Sequence, residues 1–224
     1  MAGFKGFGPK ALTFFKALKF HQSKSWFDEN KPLYQSDVVD PMVALLEDLS
    51  AAFAKKKMPL KADGKRSIFR IHRDVRFAKD KSPYKTHCGA VMTRSGGKME
   101  QGLLYLHIDP EGCFAAAGFY MPEPPDLLRL RKAIAANGNG FAAMTAALSK
   151  GKLELGDDSR LSRIPRGFET LKDGPLDEAI RLKSFIVEEP LPKRLITTAG
   201  LTDAVVDFTK RVEPLLRFGW KALD

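Results

Sequence analysis

The sequence predicts an α+β fold, with an antiparallel sheet, a four-strand meander over about residues 67–120, packed against N- and C-terminal helices. Three observations predict it. Apolar residues recur at helical spacing on both sides of the chain's middle. Between them, SIFRIHRDVRF alternates with period two. Helical and strand patterns also come in separate runs and do not alternate as βαβ units would.

The elements follow in order. Residues 10–21, KALTFFKALKFH, place Leu12, Phe15 and Leu18 on one helical face. Ser23 or Ser25 can cap a second helix carrying Trp26, Phe27 and Tyr34, with Pro32 able to reset its start. These three rings read as core anchors of a helix pair. A third helix is expected to open with Asp40 as N-cap and Pro41 at its first position, its stripe formed by Leu45, Leu46, Leu49 and Phe53. Strands are then predicted at 67–77, THCGAVMTR, MEQGLLYLHI and CFAAAGFY, with turns at RSGGK and DPEG. After MPEPP come the helices DLLRLRKAIAANG and GFAAMTAALSKG. An irregular stretch over 151–175 leads to a short helix and strand in PLDEAIRLKSFIVEEP. A last helix, capped by Thr202 and kinked or split at Pro214, closes the chain. No repeat or long linker divides it, so residues 1–224 are expected to form a single domain.

Composition narrows the functional classes. The chain has 224 residues, 44% hydrophobic and 29% charged, as in soluble globular proteins. No apolar run approaches the roughly 20 residues of a membrane span. The first residues, MAGFKGFGPKALTFF, carry no secretory pattern. Cys88 and Cys113 show neither CxxC nor metal spacing, and a cytoplasmic protein with two reduced thiols is expected. Net charge is +10, and residues 51–100 hold fourteen Lys and Arg against four Asp and Glu, so the whole excess lies there. A localised positive field points to an anionic partner.

At the centre of that segment, FRIHRDVRFAKDKSPYKTH resembles the signature of a widespread family without an assigned activity, domain-of-unknown-function family twenty-four sixty-one. KFHQSKSWFDENKPLY, LLYLHIDPEGCFAAAGFYMP, LLRLRKAI, RIPRGF and LKSF fit the same pattern in order, so the resemblance covers nearly the whole chain. It implies a compact domain with helices and a sheet, and no reaction.

The residues themselves suggest an anion cradle. Arg73, Arg76, Lys79, Lys81 and Lys85 offer guanidinium forks and ammonium groups beside a backbone stiffened by Pro83. Tyr84 adds a ring for stacking or a hydroxyl to donate. RIPRGF contributes Arg163 and Arg166. The candidate ligand-binding set is Arg73, Arg76, Lys81, Tyr84, Lys85 and Arg166, for a phosphorylated or other anionic small molecule. Asp74 and Asp80 are the nearby candidates for a general base. The competing reading is structural or partner-binding: the two aspartates pair with the cations and fasten the loop, each exposed pair contributing about 0–1 kcal/mol. A third reading, nucleic-acid binding, lacks a recognisable module. His87 and His107 fall within diagonal reach across a hairpin, but no HxH or HExxH spacing accompanies them. Neither a metal nor a cofactor is therefore assigned from sequence. Cys88 adjoins His87, yet neighbouring strand residues point to opposite faces, which argues against a catalytic dyad.

Overall fold

The structure is a computed structural model that describes residues 3–156 and 160–224. The fold class is the expected one: helices and a four-stranded antiparallel sheet of order β1-β2-β3-β4. The strands are β1 (Cys88–Met92), β2 (Leu103–Ile108), β3 (Phe114–Phe119) and β4 (Phe185–Pro190). The chain divides into two compact units. The first comprises Met1–Glu100, Tyr105–Ala115 and Pro190–Asp207; the second comprises Gln101–Leu104, Ala116–Glu189 and Phe208–Asp224.

Unit 1 is built on α1 (Ala11–Phe20), α2 (Lys24–Tyr34) and α3 (Asp40–Lys55). In α1, Ala11, Phe14, Phe15 and Leu18 are buried at the spacing of one helical face. The Ser23 hydroxyl caps α2 by accepting the Trp26 N–H at 3.3 Å. Asp40 is not an N-cap, contrary to the sequence reading. Residues Gln35–Val39 wind as a π-helical turn that joins α2 to α3 without a break, and the Asp40 N–H reaches back to the Gln35 carbonyl. Pro41 has no N–H to offer the Asp37 carbonyl one turn earlier. The Gly8 N–H takes that carbonyl instead, at 2.9 Å. The Asp37 carboxylate accepts the Lys10 N–H at 3.0 Å. Only glycine fits at position 8, because a Cβ there would lie 2.2 Å from the Asp37 side chain. The segment before α1 is tied down further. Phe4 and Phe7 are buried and meet edge to face. Their N–H groups donate to the Asp48 carboxylate at 2.7 Å and the Ile196 carbonyl at 2.8 Å.

The predicted first strand, 67–77, is the main correction. The segment is extended, but it forms only isolated bridges, Ile68 with Ala90 and His72 with Tyr84. Three further backbone bonds hold it: Phe69 N–H to Gly89, Arg73 N–H to Pro83 and Lys85 N–H to Ile71. Pro83 has no N–H to return, so a regular ladder cannot propagate there. The fourth strand of the sheet is β4 instead, from the stretch the sequence marks as a helix followed by a strand. In β2, Leu104, Leu106 and Ile108 are buried, while Tyr105 and His107 lie half-buried on the opposite face. The short helix α7 (Lys193–Ile196) also belongs to unit 1.

Unit 2 contains α4 (Pro124–Ala136), α5 (Gly138–Lys150) and α6 (Asp177–Arg181). The last helix, α8 (Gly200–Leu223), begins ahead of Thr202 and runs through Pro214, so Thr202 is not its cap and Pro214 does not divide it. Unit 2 is held by close backbone approaches. Trp220 Nε1–H donates to the Gly102 carbonyl at 3.1 Å. At Gly118, φ is +134° and a Cβ would lie 2.0 Å from the Phe185 carbonyl oxygen. The Arg211 guanidinium grips the Glu189 carboxylate through two bonds of 2.7 Å.

Gly118→Ala combines a backbone clash with a conformation that L-residues avoid. It should cost about 2–4 kcal/mol of stability. Gly112, with nothing within 4 Å of its added Cβ, is the control. Urea denaturation should show Gly112→Ala within about 0.5 kcal/mol of the parent.

Candidate functional site

A cavity of unit 1 has a volume of about 760 Å³. One face of α2 forms its first wall: Lys24, Phe27, Asp28, Lys31 and Tyr34 follow one another at helical spacing, and the π turn adds Gln35. The extended segment forms the opposite wall with Ile68, Phe69, Arg70, Ile71 and His72, closed by Pro83 and Tyr84. Lys65 and Lys98 complete the lining. Five cationic side chains thus face a single carboxylate, Asp28, across aromatic walls.

Tyr84 fixes the wall. Its ring is buried, stacked on Phe27 at 4.6 Å and 20°, and 5.1 Å from the His72 ring. Its N–H donates to the Gln22 side chain at 3.0 Å. Phe69 carries two ammonium groups near its ring, Lys98 at 5.2 Å and Lys85 at 5.5 Å from the centroid. Lys98 also donates to the Ile68 carbonyl at 2.5 Å. Burial and, after it, repulsion from Lys85 push the Lys98 ammonium below the ordinary lysine pKa. Burial followed by repulsion from Arg70 does the same to Lys85. Some cations of this wall have internal partners: Lys24 pairs with Asp28 at 2.5 Å and Lys65 donates to Gln35 at 3.2 Å.

A second, smaller cavity of about 310 Å³ is lined by Lys19, Gln22, Arg73, Asp80, Ser82, Tyr84, Lys85, Thr86 and His87. Three residues of the sequence-derived set, Arg73, Tyr84 and Lys85, therefore line one cavity, and Tyr84 lines both. Arg73 is ion-paired with Asp80. Ser82 bonds hold the Asp80 carboxyl well below the usual carboxylate range, with Arg73 adding to them. The other members are placed differently. Arg76 closes a two-pronged pair on Asp74, at 3.0 and 2.8 Å. Lys81 donates to the Val75 and Arg76 carbonyls at 3.0 and 3.3 Å. Both are exposed, and neither lines a cavity described above. Arg166 is exposed in unit 2, next to the turn at Gly167, where φ is +88°.

Sequence reasoning missed Lys24, Lys31, Lys65, Arg70 and Lys98. The α2 residues could have been found, since Lys24, Phe27, Lys31 and Tyr34 fall on one face. Lys98 could not, because only the tertiary fold brings the β1–β2 connection beside Phe69. The buried Cys88 thiol is pushed up to about 12 by desolvation, which leaves it protonated and unreactive at neutral pH.

A family model described as conserved hypothetical protein (DUF2461) matches residues 10–218, and the chain belongs to that family. No curated protein and no solved structure matches it. No helix among the described residues is long and apolar enough to cross a membrane.

Asp80→Asn keeps an oxygen for Ser82 but replaces the one that accepts Arg73 by an amide donor and removes the charge. Amide exchange should accelerate over residues 73–82. The melting temperature should barely move, because exposed pairs contribute about 0–1 kcal/mol.

Proposed function

We propose that unit 1 binds a small anionic ligand with a flat apolar portion, a phosphorylated compound being the best match. The observation that carries this reading is the excess of five cations over one carboxylate around an aromatic-walled cavity of about 760 Å³. That volume falls within the range of about 300–1,000 Å³ typical of ligand pockets. Arg70 and Lys98 would engage the anionic group, Arg70 as a planar fork and Lys98 as a point charge. Phe27 and Phe69 would face the flat portion. The depressed ammonium group of Lys98 supports the reading, since burial and then repulsion from Lys85 disfavour its charged form and a bound anion favours it. Arg73, Tyr84 and Lys85 extend the positive surface into the second cavity. The scaffolding reading is favoured for the loop tip alone, where Asp74 takes Arg76 and backbone carbonyls take Lys81. No reaction is assigned.

The test is a thermal-shift and calorimetric screen with pyrophosphate, nucleotides, sugar phosphates and a short RNA, at low and high salt. A ligand at 100 times its Kd stabilises by about 2.7 kcal/mol. The corresponding shift is about 2–4 °C per kcal/mol. Lys98→Gln and Arg70→Gln should each weaken binding about tenfold, the cost of one charge-assisted hydrogen bond. Absence of any shift overturns the proposal. A shift with RNA alone that salt abolishes redirects it to nucleic-acid binding.

The pH dependence has a definite sign. An anion favours the ammonium forms, so binding takes up protons wherever Lys85 and Lys98 are partly deprotonated. Affinity should hold near neutrality and fall as pH rises through their lowered pKa values, before the ordinary 10.5 is reached. Calorimetry between pH 7 and 10 reads this directly.

A further inference from the structure

Half-buried beside the sheet, and apart from the larger cavity, two imidazoles and a carboxylate converge. His87 immediately precedes β1, His107 lies in β2 and Asp109 follows β2. The two rings are 4.3 Å apart between centroids. His107 Nε2 lies 3.5 Å from Asp109 Oδ2. One donor atom from each residue falls within 4.8 Å of both others. We propose that His87, His107 and Asp109 form a binding site for a divalent transition-metal ion, with Zn²⁺ the reference case.

Spacing supports the assignment. With metal–ligand bonds of about 2.0–2.2 Å, tetrahedral ligands stand roughly 3.3–3.5 Å apart. The pair formed by His107 and Asp109 already has that separation. The His87 ligand atom lies within 4.8 Å of both.

The surroundings orient the ligands as a metal site requires. Tyr105 Oη lies 2.9 Å from His107 Nδ1. When Nδ1–H donates to the phenol oxygen, the Nε2 lone pair is left facing Asp109 and His87. Phe114 stacks on the His107 ring at 4.5 Å and 17°, which holds its plane. Gly89 makes room for the phenol, since a Cβ there would lie 2.6 Å from Tyr105 Oη. Asp109 is fixed too: one carboxylate oxygen accepts the Glu111 N–H at 2.7 Å, and the other is the one turned to His107. In that tautomer two acceptors face each other, an arrangement that a cation between them satisfies.

Two nitrogens and one oxygen select the class of ion. Imidazole suits Zn²⁺, Fe²⁺, Co²⁺, Ni²⁺ and Cu²⁺, whereas Mg²⁺ and Ca²⁺ take oxygen ligands. Three protein ligands leave a coordination position for water or another small ligand. His87 also lines the second cavity, which gives such a ligand a route.

Chelator-treated protein is titrated with Zn²⁺ and with Co²⁺, followed by calorimetry and by the visible absorption of the Co²⁺ complex. One ion should bind per chain, and excess Mg²⁺ should not compete. His87→Gln and His107→Gln should abolish the Co²⁺ spectrum, while His21→Gln and His72→Gln leave it intact. Tyr105→Phe should lower affinity about 10–100-fold, as loss of a supporting hydrogen bond does. Melting curves of the metal-free variants check folding. Should a histidine variant not fold, ring ¹⁵N shifts of the parent protein decide, with both His87 and His107 moving on Zn²⁺ addition. Absence of stoichiometric binding, or a spectrum unchanged in the His87→Gln and His107→Gln variants, overturns the site and leaves Asp109 as a hydrogen-bond acceptor for His107.

Discussion

The stack of Tyr84 on Phe27 is the contact on which the rest of the site in unit 1 depends. Segment 68–85 has too few backbone bonds to be a strand of the sheet, so something else must fix it beside α2. Burying two rings face to face does so, and aromatic pairs contribute about 0.5–1.5 kcal/mol beyond their area. The Tyr84 N–H on Gln22 prevents the segment from sliding along the helix. With Tyr84 in place, His72 and Arg73 are set by their pairing with Tyr84 and Pro83, and Phe69 by Gly89. The cavity between α2 and this segment is therefore bounded by a core contact, although five cations share its lining.

Electrostatics in unit 1 are arranged by distance from that contact. At the loop tip, aspartates and carbonyls neutralise Arg76 and Lys81 where water already screens them. Nearer the core, Lys85 and Lys98 share one aromatic ring and repel each other where screening is weaker. The ring quadrupole offsets part of that cost. The same sequence segment thus holds two populations of cations, one occupied internally and one crowded. Their difference is a matter of burial and not of residue type.

Much of this organisation was legible in the chain. Fold class, Phe15 and Leu18 on the buried face of α1, a serine cap on α2 and the localised charge follow from period, capping chemistry and composition, whereas Ala11 and Phe14 are buried in the place expected of Leu12. Errors arose where a distant residue decides a local matter. Alternation over 67–77 marked an extended segment correctly, but Pro83 limits its pairing and β4, far along the chain, supplies the fourth strand. Asp40–Pro41 looked like a helix start because that pair usually is one. Here Gly8 satisfies the carbonyl that proline leaves open, so the helix need not begin there. Within the candidate site, Tyr84 and Lys85 could be named from sequence because they adjoin a proline in a basic run. Lys98 could not, since only the fold brings it to the Phe69 ring.

The segment ahead of α1 bears on where this fold ends as a cooperative object. Phe4 and Phe7 are buried, Gly6 has φ of +121° against the Thr197 backbone, and Gly8 completes the Asp37 turn. Yet the family match starts at residue 10. The span that similarity marks out is thus shorter than the span that folds together. A chain trimmed to the matched residues would lose the wedge that braces the helical wall of the larger cavity, and weakened binding in it would report a missing brace and not a missing ligand contact.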